Sequence, residues 1–244
     1  DVDALVAVQS RDLSHPYHFL RIAEILARAD RASEALAWAE RGMKAFPNDF
    51  DPRLVDFLVE AYHSTRRHDD AVNLAWEHFV QDPGLDAYRR LEKSAGRAKA
   101  WKLWREKALT HLRAWLKRAD RPSSARRVGA GQTLLVEIFL HEGDSDAALA
   151  EAKSGGCVRE AWMQLARARA PDHPQDAADI YRRFIDDIVD RRNNPAYDEA
   201  AAQVGRVKEL MQRAGQKEGF AAWLAGLRTR HRAKRNFMQR IEGM

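Results

Sequence analysis

Two stretches decide the reading of this chain: Ala35-Leu36-Ala37-Trp38-Ala39-Glu40-Arg41-Gly42, followed by Pro47, and Ala71-Val72-Asn73-Leu74-Ala75-Trp76-Glu77-His78, followed by Pro83. Alanine returns to alanine and proline to proline after the same interval, 36 residues. Small residues at such a period are the mark of helical pairs stacked in series, each covering its neighbour's apolar face. The steric logic is direct. Two helices of a pair approach closely only where one carries no bulk beyond Cβ, and large residues such as Phe19, Leu58 and Tyr62 fill the space left.

The pattern extends outward from there. Val2 to about Gln9 reads as the second half of a pair. Pro16 stands where a helix start tolerates proline, and Tyr17–Ala29 carries Phe19, Ile22, Ala23 and Leu26 on one stripe. Arg31-Ala32 makes a tight turn into Ser33–Phe46, which Pro47-Asn48-Asp49 stops. The next pair repeats the plan, with Leu54, Leu58 and Tyr62 on the first helix, a turn over Arg66–Asp69 and a second helix over Ala71–Val80. A third pair reads as a short helix over Leu85–Ser94 and a long one from Ala98 to about Arg118. On that long helix Trp101, Trp104, Ala108, Leu112, Trp115 and Leu116 share one apolar arc, which predicts buried tryptophans.

Residues 119–132, rich in proline, serine and glycine, read as a linker or hinge between residues 1–118 and 133–244. Beyond it come Leu134–His141, a Gly143-Asp144 turn, and Ala147–Lys153 capped by Gly155-Gly156. Then follow Arg159–Ala170, a turn from Pro171 to Pro174, Ala177 to about Arg191, Ala196–Met211 and Glu218 to about Arg230. A basic tail continues in helical phase. Strand signals do not occur. The expected fold is all-α, an α-solenoid of about six helical hairpins.

Composition bounds the function. Hydrophobic residues make up 45% and charged residues 32%, with a mean hydropathy of −0.58. No apolar run approaches the roughly 20 residues of a membrane span, so no membrane is expected among the partners. A single cysteine, Cys157, rules out an internal disulfide framework and points to the reducing cytoplasm. The chain begins at Asp1 without a methionine, which leads to the expectation of a piece cut from something longer. Net charge is +5, unevenly spread. Between Arg97 and Arg127 eleven basic residues face two acids, and six basic residues from Arg228 to Arg240 face none. The remainder is net acidic.

The first two units resemble the tetratricopeptide pattern through Ala35, Gly42 and Pro47, and through Leu58, Tyr62, Ala71 and Pro83. A wider likeness rests on His15-Pro16-Tyr17, Gly155-Gly156-Cys157, His173-Pro174, Asn193-Asn194-Pro195-Ala196-Tyr197 and Arg235-Asn236-Phe237-Met238. By these strings the chain resembles the C-terminal helical region of bacterial SWIM zinc-finger proteins. That family's Cys-x-Cys…Cys-x-His module is missing from this sequence, so no zinc site carries over. The tetratricopeptide likeness implies a groove lined by first helices, with Tyr17, Leu20, Arg21, Glu24, Arg53, Asp56, Phe57 and Glu60 facing a protein or peptide of mixed charge and apolar character.

Chemistry finds little purchase. His15 with His18, and His63 with His68, lack the further ligands a zinc site needs, and read as surface or capping residues. Asp186, Asp187 and Asp190 lie at ion-pair spacing from Arg182, Arg183, Arg191 and Arg192. Asp144-Ser145-Asp146 opens like a calcium loop but lacks its closing glutamate, and reads as a turn and cap. Cys157 reads as a half-buried structural cysteine rather than an activated thiol. No catalytic residue, cofactor, metal or small-molecule substrate is expected. The alternative to a protein-binding scaffold is nucleic-acid contact, with Lys102, Lys107, Arg113, Lys117, Arg126, Arg127, Arg230, Arg232, Lys234 and Arg235 meeting phosphates. The tail has a second reading, docking through Phe237 and Met238.

Overall fold

Proline and short polar residues set where the helices begin. Pro16 and Pro52 open helices whose preceding residues cap them: the His15 imidazole accepts from the Tyr17 N–H at 3.1 Å, and the Asp51 carboxylate from the Arg53 N–H at 2.9 Å. Asp144 and Asn193 accept in the same way from the Ala147 and Ala196 N–H groups.

The computed structural model describes residues 1–47, 51–117 and 130–244, and the side chains of all of these but 130 and 131. Among the described residues there are fourteen helices and no strand. The chain divides into two compact units, Asp1–Ala119 and Asp120–Met244. The first holds α1 (Val2–Gln9), α2 (Pro16–Arg28), α3 (Ala32–Ala45), α4 (Pro52–Ser64), α5 (His68–Gln81), α6 (Leu85–Arg97) and α7 (Trp101–Lys117). The second holds α8 (Ala130–His141), α9 (Ser145–Gly155), α10 (Arg159–Arg169), α11 (Pro174–Val189), α12 (Asn194–Arg213), α13 (Lys217–His231) and α14 (Arg235–Arg240). Helices pack mainly on their neighbours in sequence. In the first unit α2 also packs on α4, and α4 on α6.

One turn joins the helices of a pair again and again. After α2, the Arg31 N–H donates to the Leu26 carbonyl at 3.0 Å and the Asp30 N–H to Ala27 at 3.2 Å, with Asp30 left-handed at φ 59°. The same double bond recurs around Arg66, Lys99, Gly143 and Gly215, each at positive φ. Arg66, Lys99 and Asp30 adopt this conformation without glycine's freedom, because the two hydrogen bonds hold it.

The small-residue seam is tight. Ala35, Ala39, Ala71 and Ala75 are 0–2% exposed. A Cβ at Gly42 would lie 2.7 Å from the Phe19 Cβ and 3.1 Å from a Leu54 methyl.

Three expectations are corrected. The helix from Leu85 is not short: α6 runs thirteen residues, as long as α2 and α4. Its polar C-terminal half stays helical because Ser94 and Ala95 are the buried positions there. On α7 only Ala108, Leu109 and Leu112 are buried, while Trp101, Trp104 and Trp115 are half-buried. Among the described residues α7 packs chiefly on α6, which covers a stripe narrower than the apolar arc. The tail does not continue α13. The chain breaks after His231, and α14 folds back on α12 with Phe237 fully buried against Tyr197 and His231. The 119–132 stretch read as a linker lies outside the described residues except for its last three, where α8 begins at Ala130.

The acids of α11 were read as partners for arginines on their own helix. Instead Asp186 meets Arg230 and His231, and Asp190 meets Lys234. Arg182 pairs with Asp179 and Arg191 with Glu199, while Arg183 lies over the Trp162 ring. Carboxylates on the α11 face toward the chain's end find closer cations there than along the helix.

Gly42→Ala is therefore expected to lower stability by about 1–3 kcal/mol through overpacking against Phe19. Gly205→Ala, in the middle of α12 with open space at its Cβ, is expected to raise it by about 0.5–1 kcal/mol. Urea unfolding of both variants measures the contrast, and a neutral Gly42→Ala would disprove the close seam.

Candidate functional site

The outward faces of α2 and α4 carry most of the residues expected in a groove. Tyr17 is 36% exposed at the start of α2. The Arg21 Nη1 donates to its hydroxyl at 3.5 Å from one turn on, and the Arg53 guanidinium lies 4.8 Å from the ring centre. Arg53 also binds the buried Asp51 carboxylate through two nitrogens, at 3.1 and 2.9 Å. Those hydrogen bonds hold the Asp51 carboxyl below its usual range despite burial. Glu24 is half-buried nearby. Leu20 belongs to the core at 3% exposure and offers nothing to a partner, because it lies on the same side of α2 as Phe19 and Ala23.

Two cavities flank α4. One, of about 250 Å³, is apolar and lined by Ala27, Ala32, Ala35, Phe57 and Ala61. The other, of about 280 Å³, is charged and lies between α4 and α6, where Asp56 and Glu60 meet Arg90, Lys93 and Arg97. Glu60 borders both. Arg90 holds Asp56 at 2.5 and 3.1 Å, and Arg97 holds Glu60 at 2.7 Å, which keeps the Glu60 carboxyl below its usual range. Lys93 is exposed and makes no hydrogen bond or ion pair among the described residues. Beneath them the His63 Nε2 lies 2.9 Å from the Ser94 hydroxyl, and its Nδ1 2.8 Å from the His68 Nδ1. Sequence reasoning missed Arg90, Lys93, Arg97 and Ser94, although Lys93 stands one repeat period after Phe57.

The residues proposed for phosphate contact fare differently. The Lys107 ammonium lies 4.3 and 4.1 Å from the Trp76 and Trp104 ring centres. Arg230 and Lys234 are engaged by Asp186 and Asp190. Lys102, Arg113, Lys117, Arg232 and Arg235 are exposed, and Arg126 and Arg127 lie outside the described residues.

Other sequence candidates find structural partners. His15 caps α2, and His18 lies 3.8 Å from Asp12. Asp144 caps α9, while Asp146, with Asp176, binds Arg169, whose side chain is 4% exposed. Burial pushes the Cys157 thiol up to about 11, away from thiolate chemistry. Among the described residues no three His, Cys, Asp or Glu side chains converge as metal ligands, and no helix is long and apolar enough to cross a membrane. Compared with known proteins, the chain matches no family model and no curated sequence.

His63 and His78 respond to pH in a calculable direction. Burial comes first in holding both below 6.5, aided by Arg97 and His68 around His63 and by Arg90 beside His78; Glu60 acts against this at His63, and Asp82 and Asp56 at His78. Below pH 6.5 the unfolded chain then binds more protons than the folded one, so stability is complete above that value and falls as acid is added. The urea midpoint is expected to decline from pH 7 to pH 5. The His63→Gln/His78→Gln variant should lack most of that decline; an unchanged slope would remove these two histidines from the account.

Proposed function

We propose that this chain is a non-catalytic interaction scaffold, an α-solenoid of tetratricopeptide-like pairs that takes a protein or peptide segment against α2, α4 and α6. The observation that carries this reading is the pair of cavities beside α4, one apolar and one charged, with Glu60 common to both. An extended or helical segment crossing α4 places an apolar side chain near Phe57 and a carboxylate near Lys93, which makes no ion pair among the described residues. Tyr17, Arg21 and Arg53 continue the surface toward the start of α2, where guanidinium and ring stack. Direct packing of α2 on α4 and of α4 on α6 supports the stacked arrangement, as does the recurrence of one turn geometry. By its sequence strings the chain corresponds to the helical part of a SWIM zinc-finger-like protein. Phosphate contact through the basic segments draws less support, since Lys107, Arg230 and Lys234 are already engaged.

The test is capture of partners from lysate by the wild-type chain and by the Arg21→Glu/Phe57→Ala/Lys93→Glu variant, followed by affinity measurement on the captured protein. These exposed or half-buried positions are expected to leave the helical circular dichroism intact while weakening binding at least about tenfold, near 1.4 kcal/mol. Undiminished capture by the variant would place the binding surface elsewhere. Capture that vanishes with nuclease treatment and moderate salt would favour the nucleic-acid reading.

A further inference from the structure

The second unit holds a cavity of about 310 Å³ where α10, α11 and α12 meet, and its lining is basic. Arg167 comes from α10, Tyr181 from α11, and Arg206, Glu209 and Arg213 from α12. Several other arginines of this unit are matched to acids, Arg159 and Arg191 to Glu199, Arg169 to Asp146 and Asp176, and Arg182 to Asp179, while Arg183 lies over the Trp162 ring. Around this cavity three guanidinium groups face one carboxylate, and none of the three forms an ion pair among the described residues. Arg167 and Arg206 also donate no hydrogen bond there. Arg206 lies 5.7 Å from the centre of the Tyr181 ring, and Arg213 commits one Nη2 to the Pro171 carbonyl at 3.0 Å. That single bond orients Arg213 and leaves its other donors free.

Tyr181 adds a hydroxyl to this lining. It makes no hydrogen bond among the described residues, so it is free to donate to an oxygen held in the cavity.

We propose that this cavity binds a phosphate dianion, either free or as a monoester. A carboxylate offers two oxygens, which a single guanidinium fork saturates. Three forks and a hydroxyl instead match a tetrahedral group with three terminal oxygens. The site is a single open recess bordered by three helices, with Glu209 on its rim repelling a second phosphate, which disfavours the repeated diesters of a nucleic acid. A monoester's second ionisation lies near pH 6, so affinity rises as pH increases from 5 to 7.5. The site stands apart from the surface proposed on α2, α4 and α6, and either stands or falls without the other.

Calorimetric titration of the full chain at low salt tests this with inorganic phosphate, phenyl phosphate, acetate and a short single-stranded oligonucleotide as probes. Saturable binding of at least one phosphate probe is expected, with acetate at least about tenfold weaker. The stronger of inorganic phosphate and phenyl phosphate identifies the free ion or the ester as the ligand. Arg206→Gln/Arg213→Gln is expected to weaken binding about tenfold or more, and Tyr181→Phe by a smaller factor, with unfolding midpoints preserved. Should the double variant lose its fold, Arg167→Gln carries the same expectation. No saturable binding at millimolar phosphate, affinity unaltered in the folded variants, or an oligonucleotide that outcompetes both phosphate probes would each overturn the assignment.

Discussion

Two helices linked by a three-residue turn lie side by side only if one gives up bulk along their common seam. Gly42 and the buried alanines 35, 39, 71 and 75 supply that concession, and Phe19 and Leu54 close over Gly42 so tightly that a methyl group has no room. The turn is the matching constraint. Its residue at positive φ, held by hydrogen bonds back to the preceding helix, fixes where the second helix starts, and so which residues face the seam. Seam and turn determine each other.

Charge then follows the same repeat. Arg31 and Arg67 stand just before α3 and α5, bind Glu34 and Asp70 within the first turn, and reach back to Asp3 on α1 and Glu40 on α3. These pairs are largely exposed, and each contributes little to stability. Their value lies in register, since each ties the turn of one pair to the last helix of the stretch before it, α1 or α3. Glu40 also accepts the Tyr62 hydroxyl, and burial together with that carboxylate raises the phenol to about 12. With so many arginines satisfied within the fold, a cation that is left without a carboxylate gains meaning. Lys93 in the first unit and the trio around Tyr181 in the second make no ion pair among the described residues and border cavities.

Helix positions were legible because proline, alanine and the apolar stripes report local backbone and seam, both encoded over short spans. Even the turns at Arg31 and Arg66 could be read, although they lack glycine. What could not be read depends on groups far apart in sequence. The α11 acids offered arginines at helical spacing, but their partners come from some 44 residues further on. The polar end of α6 resembled a loop because Ser94 and Ala95 bury little, and their burial is decided by His63 on another helix. Half-buried tryptophans on α7 look like core in projection, since periodicity shows which side is apolar but not how wide a neighbour will cover it. The proposed groove rests on likeness to another repeat, which names α2 and α4 residues and leaves out Arg90, Lys93 and Arg97.

The apolar cavity beside α4 links this architecture to the proposed binding surface. Ala35 is a seam residue, 2% exposed, and also part of the cavity wall, together with Ala27, Ala32 and Ala61. The loss of side-chain volume that allows α2 and α3 to nest leaves a recess beside α4, with Phe57 and Leu36 as its large apolar walls. Filling it from within, by enlarging Ala27 or Ala61, would add buried apolar contact and so favour the folded chain. The chain keeps alanine there instead. A fold selected only for stability has little reason to leave that space open, whereas a surface that receives a partner's side chain needs it empty until the partner arrives.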